Sequence, residues 1–275
     1  MKPVQFEYHA PEALEQAWAF FTPDSTTKWL GGGQSLGPML NLRLARPDAL
    51  VQLAGIAALT QVETTEHAIC YGAMLRHADF EDGRVPDATG GMLQEIASGI
   101  AYRAIRNRGT LGGSLAHADP AADWVNTMIA LNVQINVSGS QGPRSIAATD
   151  FMLAAFTTAL MPGELIVSIQ IPKLLSGARW GYYKFCRKTG EFSQATATVV
   201  VDPQRGYARV VLGALDGAPL LLEDLAELLA QQGVDAAMDQ AGNIVNQYVG
   251  TMPEYRRQLY VTAVNRALMQ IKGVL

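Results

Sequence analysis

The chain has little of what metal or disulfide chemistry needs. Its 275 residues include two cysteines, Cys70 and Cys186, and four histidines. That is too few for a Cys₄ iron–sulfur or zinc site, and no His/Cys spacing suits a metal. Both cysteines read as reduced, buried thiols of a cytoplasmic protein. No apolar run approaches the roughly 20 residues a membrane span takes, and Met1–Tyr8 has no apolar core of a secretory signal. Charge is also sparse: 17% of residues are charged and the net charge is −4. The one basic run, Arg103 to Arg108, is too short for a nucleic-acid footprint, which needs clustered Lys and Arg. Ser35 and Ser114 lack His–Asp partners in motif spacing, so no nucleophilic triad is expected. There is no internal repeat and no low-complexity segment.

What is present suffices for a substantial core. Hydrophobic residues make up 49% of the chain, and the length allows two domains. Phe6 and Tyr8 read as a strand, Pro11–Phe21 as a helix opened by proline, Lys28–Leu30 as a strand, and Pro47–Leu53 as another. This β-α-β-loop-β unit forms a first lobe over about residues 1–53. A second lobe, about 54–175, opens with Thr60–Thr65 and Ala68–Gly72 as paired strands around Glu66-His67. Helices follow at Gly90–Ser98 and from Pro120 to about Leu131, then strands at Asn132–Val137 and Glu164–Ile171. A turn is expected at Ser138–Pro143.

Leu174–Gly177 reads as a linker to a second domain, 176–275. There Trp180–Cys186, Ala195–Val201 and Tyr207–Leu215 predict a three-stranded antiparallel sheet. Helices at Leu221–Gln232, Asp235–Val249 and Glu254–Ile271 follow, giving an α+β class. Met128, Met152 and Met269 are expected as core filler.

Two glycine-rich segments carry the chemistry. The first is Gly31-Gly32-Gly33-Gln34-Ser35-Leu36; the second is Thr110-Leu111-Gly112-Gly113-Ser114. Glycine leaves no Cβ between backbone and ligand, so successive N–H groups can converge on an anion, and Ser35, Thr110 and Ser114 add hydroxyls. Two such segments in one domain suggest a diphosphate held from both sides. Neither is a Walker A loop, and the G-x-G-x-x-G spacing of a dinucleotide fold is absent. Asp123 falls in the first turn of the helix after Pro120, where the helix dipole favours a carboxylate. It is equally placed to accept hydrogen bonds from ligand hydroxyls.

The same segments resemble the flavin-binding signatures of the medium, FAD-binding subunit of the molybdenum hydroxylases, the carbon monoxide and xanthine dehydrogenase family. The likeness takes in Ile105-Arg106-Asn107, the run from Ala118 to Asp123, Arg43–Pro47, Tyr71–Met74, Gly163–Ile166, Arg187–Phe192 and Glu254–Arg257. It implies a PCMH or vanillyl-alcohol-oxidase-type FAD-binding domain of two lobes, with the smaller C-terminal domain completing the flavin pocket. By that resemblance Gly31–Leu36 and Thr110–Ser114 would hold the FAD diphosphate, and Asp123 would bind cofactor hydroxyls. Ile166 and Lys184 would lie near the isoalloxazine, and Phe192 would cover one of its faces. An aromatic ring can pack there without competing for the flavin's polar edge; read alone, Phe192 could equally be a core residue.

The implied role is electron transfer without catalytic acids. A large molybdopterin-binding partner oxidises the substrate, and a small partner carries two [2Fe–2S] clusters. This chain's FAD passes the electrons to an external acceptor, in a dimer of heterotrimers. Three departures stand out: Asn41 for Lys, Ala101–Ala104 for Gly-Asp-Pro-Gln, and Gln52 for Asp, the last read as a surface change. His77 reads as a satisfied structural histidine, and His117 as a helix-entry hydrogen bond. Two rivals remain: a self-sufficient flavin oxidoreductase, which would draw on Arg179, Arg205 and Arg209, and a nucleotide-binding scaffold without turnover.

Overall fold

The computed structural model describes residues 2–22 and 25–272. The first lobe is built from β1 (Glu7–His9), α1 (Leu14–Trp18), β2 (Lys28–Leu30), α2 (Leu36–Asn41) and β3 (Ala49–Gln52). Its sheet is parallel, in the order β1-β3-β2. Alternation along β3 sends Val51 against Ala17, Leu53 and Leu59 on one side and leaves Leu50 and Gln52 on the other. Helix α1 is much shorter than the run from Pro11 to Phe21 suggested. Its N-cap, Ala13, supplies no side-chain acceptor, and a helix this short without a cap frays.

The second lobe begins with β4 (Val62–Thr64) and β5 (Ala68–Gly72), paired antiparallel as expected. Five helices follow: α3 (His77–Glu81), α4 (Met92–Ser98), α5 (Arg103–Arg106), α6 (Leu111–His117) and α7 (Asp123–Ala130). Then come β6 (Gln134–Gly139), β7 (Gly142–Ala147), α8 (Ala148–Phe151), β8 (Met152–Ala154), β9 (Thr157–Thr158) and β10 (Leu165–Pro172). The main sheet runs β4-β5-β10-β6-β7 and is antiparallel throughout. Ser138–Pro143, expected as a turn, is the close of a hairpin in which Ser138 pairs with Pro143 and Gly139 with Gly142. The lobes are tied by the Trp29 indole N–H, which donates to the Glu164 carbonyl at 3.0 Å. Arg144 holds the Glu164 carboxylate in a bidentate pair at 2.7 and 2.8 Å. That hydrogen bonding keeps the Glu164 carboxyl below the usual carboxylate range.

The last part contains β11 (Arg179–Phe185), β12 (Ala195–Asp202), β13 (Tyr207–Gly213), β14 (Leu220–Leu221), α9 (Glu223–Val249) and α10 (Glu254–Lys272). The three expected strands are there, but the sheet has four, because Leu220–Leu221 pairs with β13 as a short edge. Two residues are too few to show a strand period, so this edge left no pattern in the sequence. The two helices expected on either side of Gly233 are the two halves of α9, which breaks at that glycine, where φ is +85°. Strand β12 is buried on both faces. Ala197 and Val199 face the core under α9 and α10, while Val200 joins the second lobe's core, which includes most of α7. The sheet thus separates two cores, one shared with α7 and one under α9 and α10. Met128 and Met152 lie in the first, but Met269 is 57% exposed on the outer side of α10. Cys70 and Cys186 are unpaired and only partly buried.

Candidate functional site

The two glycine segments meet in space. β2 delivers Gly31–Ser35 as the turn into α2, while Arg108 and Gly109 lead from α5 to α6. A Cβ on Gly32 would collide with the Arg108 carbonyl and lie 2.8 Å from the Gly109 Cα, so only glycine lets these backbones touch. Gly31 faces the other segment, with the Thr110 hydroxyl 3.2 Å from where its Cβ would stand.

Their hydrogen bonding is opposite. Among the described residues, the N–H groups of Gly31 through Leu36 reach no acceptor. The Gln34 side-chain amide donates to the Gly32 carbonyl at 3.0 Å and braces the turn. The second segment was expected as a loop with open donors, and it is not one. Thr110 caps α6, and Leu111–Ser114 form its first turn. Leu111 N–H donates to the Leu75 carbonyl and Gly112 N–H to that of Ala73; Ser114 N–H donates to the Thr110 carbonyl. Gly113 N–H donates to the Thr110 hydroxyl at 3.1 Å. Gly112 is glycine because of the protein itself: a Cβ there would lie 2.6 Å from the Ala73 Cβ. In this segment the Ser114 side chain is half-buried and has no hydrogen-bond partner among the described residues, so it is the polar group left open.

The open amides border a groove of about 330 Å³, lined by Gly31–Gln34, Tyr8, Gln52 and Arg108. Gln52, expected as a surface change, thus stands in the wall of a cavity. Arg106 is pinned by a bidentate pair with Glu81 at 2.7 and 2.8 Å, and Arg103 by Glu81 and Asp82. Hydrogen bonding from Arg106, with both positive charges nearby, holds the Glu81 carboxyl below its ordinary range. Arg108 has no such partner among the described residues, and it is exposed.

Asp123 opens α7 and meets β11. Its Oδ1 accepts from Lys184 Nζ at 2.9 Å and from the Tyr182 hydroxyl. Lys184 also donates to the Gly99 carbonyl at 2.6 Å. The Asp123 and Lys184 side chains are only 11% and 14% exposed. Burial, with the adjacent Asp123 charge, pushes the Tyr182 hydroxyl's pKa well up. These contacts tie α7 to β11, and Asp123 Oδ2 has no hydrogen-bond partner among the described residues. Ile166 lies on β10 opposite Val137 and is buried in the second lobe's core. Phe192 is 70% exposed on the connection between β11 and β12, so it is not a core residue. That connection is anchored nearby by Gln194 N–H, which donates to the Phe185 carbonyl at 2.7 Å.

His77 is buried and structural. Its Nδ1 accepts from the Trp124 indole N–H at 3.0 Å. Burial first, then the Arg106 charge, lowers its pKa to about 4. His117 packs its ring against Phe156 instead, with centroids 5.2 Å apart. Arg179, Arg205 and Arg209 are engaged with backbone carbonyls of Ile271, Lys173 and Ile129. A self-sufficient oxidoreductase would need such arginines for substrate. A larger cleft of about 470 Å³ lies beside Ser193 and Gln194, and the Arg256 in its wall is held bidentate by Asp216 at 3.0 Å. Among the described residues, no group of three or more His, Cys, Asp or Glu could hold a metal. No helix there is long and apolar enough to cross a membrane.

The chain is similar to known proteins over its whole length. A family model described as the FAD binding domain in molybdopterin dehydrogenase matches residues 4–174. The chain is 31% identical to the nicotine 6-hydroxylase medium subunit of Paenarthrobacter nicotinovorans, over 98% of both chains. It is 32% identical to the carbon monoxide dehydrogenase medium chain of Afipia carboxidovorans, over 99% of both. A chain in the structure of reconstituted CO dehydrogenase from Oligotropha carboxidovorans superimposes with a TM-score of 0.92 and 30% identity, over 100% of both chains.

Proposed function

The chain belongs to the family of FAD-binding domains of molybdopterin dehydrogenases, and on that premise we propose that it is the electron-transferring flavin subunit of a heterotrimeric molybdenum hydroxylase. FAD is the cofactor of this family, and the chain's relatives are medium subunits of oxidoreductases whose substrate is oxidised on another subunit. The observation that carries the proposal is the row of unpaired amides from Gly31 to Leu36, beside a groove and next to the point where Gly32 meets the second segment's approach at Arg108. Buried or half-buried N–H groups without acceptors are costly unless a ligand or water satisfies them.

In this reading Gly31–Leu36 donate to the cofactor diphosphate. From the second segment, Thr110–Ser114 come against the first at Gly31, and Ser114 supplies a hydroxyl. Asp123 uses its remaining oxygen for cofactor hydroxyls while Lys184 fixes its orientation. Ile166 gives an apolar boundary, and Phe192 shields one ring face from water. When bound, FAD supplies a two-electron acceptor that can be refilled from [2Fe–2S] clusters and discharged to an external acceptor. The protein's work is placement and electrostatic tuning. Residues 1–175 form the cofactor domain, in lobes of about 1–53 and 54–175, and 176–275 form the closing domain. The partners are a large molybdopterin-binding subunit and a small subunit with two [2Fe–2S] clusters, assembled in the cytoplasm as a dimer of heterotrimers.

The test is purification of the chain alone and with the partner chains encoded beside it. The chain alone should carry flavin and turn over no small substrate; acceptor reduction should require all three chains. A chain without flavin, or turnover by the isolated chain, would overturn the proposal.

A further inference from the structure

We infer that Arg108 is the counter-charge for the cofactor's diphosphate, and that its guanidinium helps the groove select a dinucleotide over a flavin lacking the diphosphate. The inference rests on the flavin reading above and adds a residue to it. Arg108 is fixed at its backbone, because its carbonyl lies against Gly32 in the first glycine segment. It lines the same groove as Gly31–Gln34. Of the three arginines in the run Arg103–Arg108, the other two are neutralised by Glu81 and Asp82. Arg108 alone of that run has no carboxylate partner among the described residues.

The rest of the groove gives the inference its direction. Among the described residues no carboxylate lines it, and its other walls include Tyr8, Phe6, Leu30, Leu40, Leu50 and Gln52. A diphosphate brought there meets open amides on one side. Those amides carry only partial charges, and a full cation beside them adds a Coulomb attraction they lack. A guanidinium fits phosphate oxygens with two parallel N–H donors, which an amide row alone cannot match.

The test uses the full chain stripped of flavin and titrated with FAD, ADP and riboflavin, at low and high salt. Arg108→Gln should weaken FAD and ADP about tenfold or more, the effect of losing one charge-assisted hydrogen-bonding group. Riboflavin, which lacks phosphate, should change less than about twofold. Added salt should narrow the gap between wild type and variant for FAD, since screening weakens the lost interaction. Arg108→Lys should recover part of the affinity, and the melting temperature of both variants should stay within about 2 °C of wild type. Unchanged FAD and ADP affinity in Arg108→Gln overturns the inference while leaving the flavin assignment standing. An equal loss for riboflavin also overturns it, because it marks a general effect on the pocket. A wild-type chain that binds none of the three removes the flavin reading itself.

Discussion

The two glycine segments look alike on paper and differ in the folded protein. Gly31–Leu36 keeps its amides open, half-exposed, against a groove. Thr110–Ser114 spends its amides inside the protein, and its Gly112 is required by the Ala73 backbone rather than by a ligand. Glycine serves one need in both, close backbone approach, of Gly32 to Arg108 and of Gly112 to Ala73. The difference lies in the N–H groups, which only the first segment leaves available. The lesson is that a Gly-rich, hydroxyl-rich motif marks close approach, and only the acceptors of its N–H groups tell what is approached.

That contrast can be broken by substitution. On the inward side, Gly112→Val should cost the most, about 3–4 kcal/mol, because a branched side chain must enter space already filled by Ala73. The expected loss in melting temperature is about 6–12 °C, with flavin loss following from unfolding. A variant that melts like wild type yet loses flavin would return Gly112 to the ligand side.

Asp123→Ala should come next, at about 3 kcal/mol, since it leaves Lys184 buried with only the Gly99 carbonyl. Chemical denaturation should show the change. No change in midpoint would mean that the pair does not tie α7 to β11.

The inward side also carries a pH signature. His77 has a folded pKa of about 4, below its ordinary value near 6.5, so the unfolded chain binds the proton more tightly. The stability of the neutral form is complete above about pH 6.5 and is lost as pH falls toward 4, by about 3 kcal/mol. His77→Gln, measured by denaturant midpoint from pH 7 to 4, should flatten that slope. A slope identical to wild type would assign the acid sensitivity elsewhere.

The outward side should respond the other way. Gln34→Ala removes the brace to the Gly32 carbonyl, and its expected cost is about 0.5 kcal/mol or less in stability. Flavin affinity should fall about threefold. A larger stability loss with intact flavin binding would erase the distinction between the segments.

Much of the framework was legible in the chain. Paired strands around Glu66-His67, the three long strands of the last domain and the break near Gly233 all follow from alternation and breakers. What escaped was set by neighbours far away in sequence. Thr110–Ser114 reads as a loop because two glycines disfavour helix locally, and docking against Ala73 and Leu75 overrides that preference. Arg108 reads as part of a short basic run, and only the pairing of Arg103 and Arg106 with Glu81 and Asp82 singles it out. Gln52 reads as surface because the opposite wall of its groove comes from other elements.

The sequence by itself determined the family, the cofactor and the two places where backbone must come close to something, because those rest on local composition and motif order. Only the tertiary structure decided which segment keeps its amides open beside a groove and which turns them to the protein. That outcome depends on where each N–H finds its acceptor, and the acceptors in the second segment include Ala73 and Leu75, more than 30 residues upstream. No local pattern reports a partner at that distance; packing does.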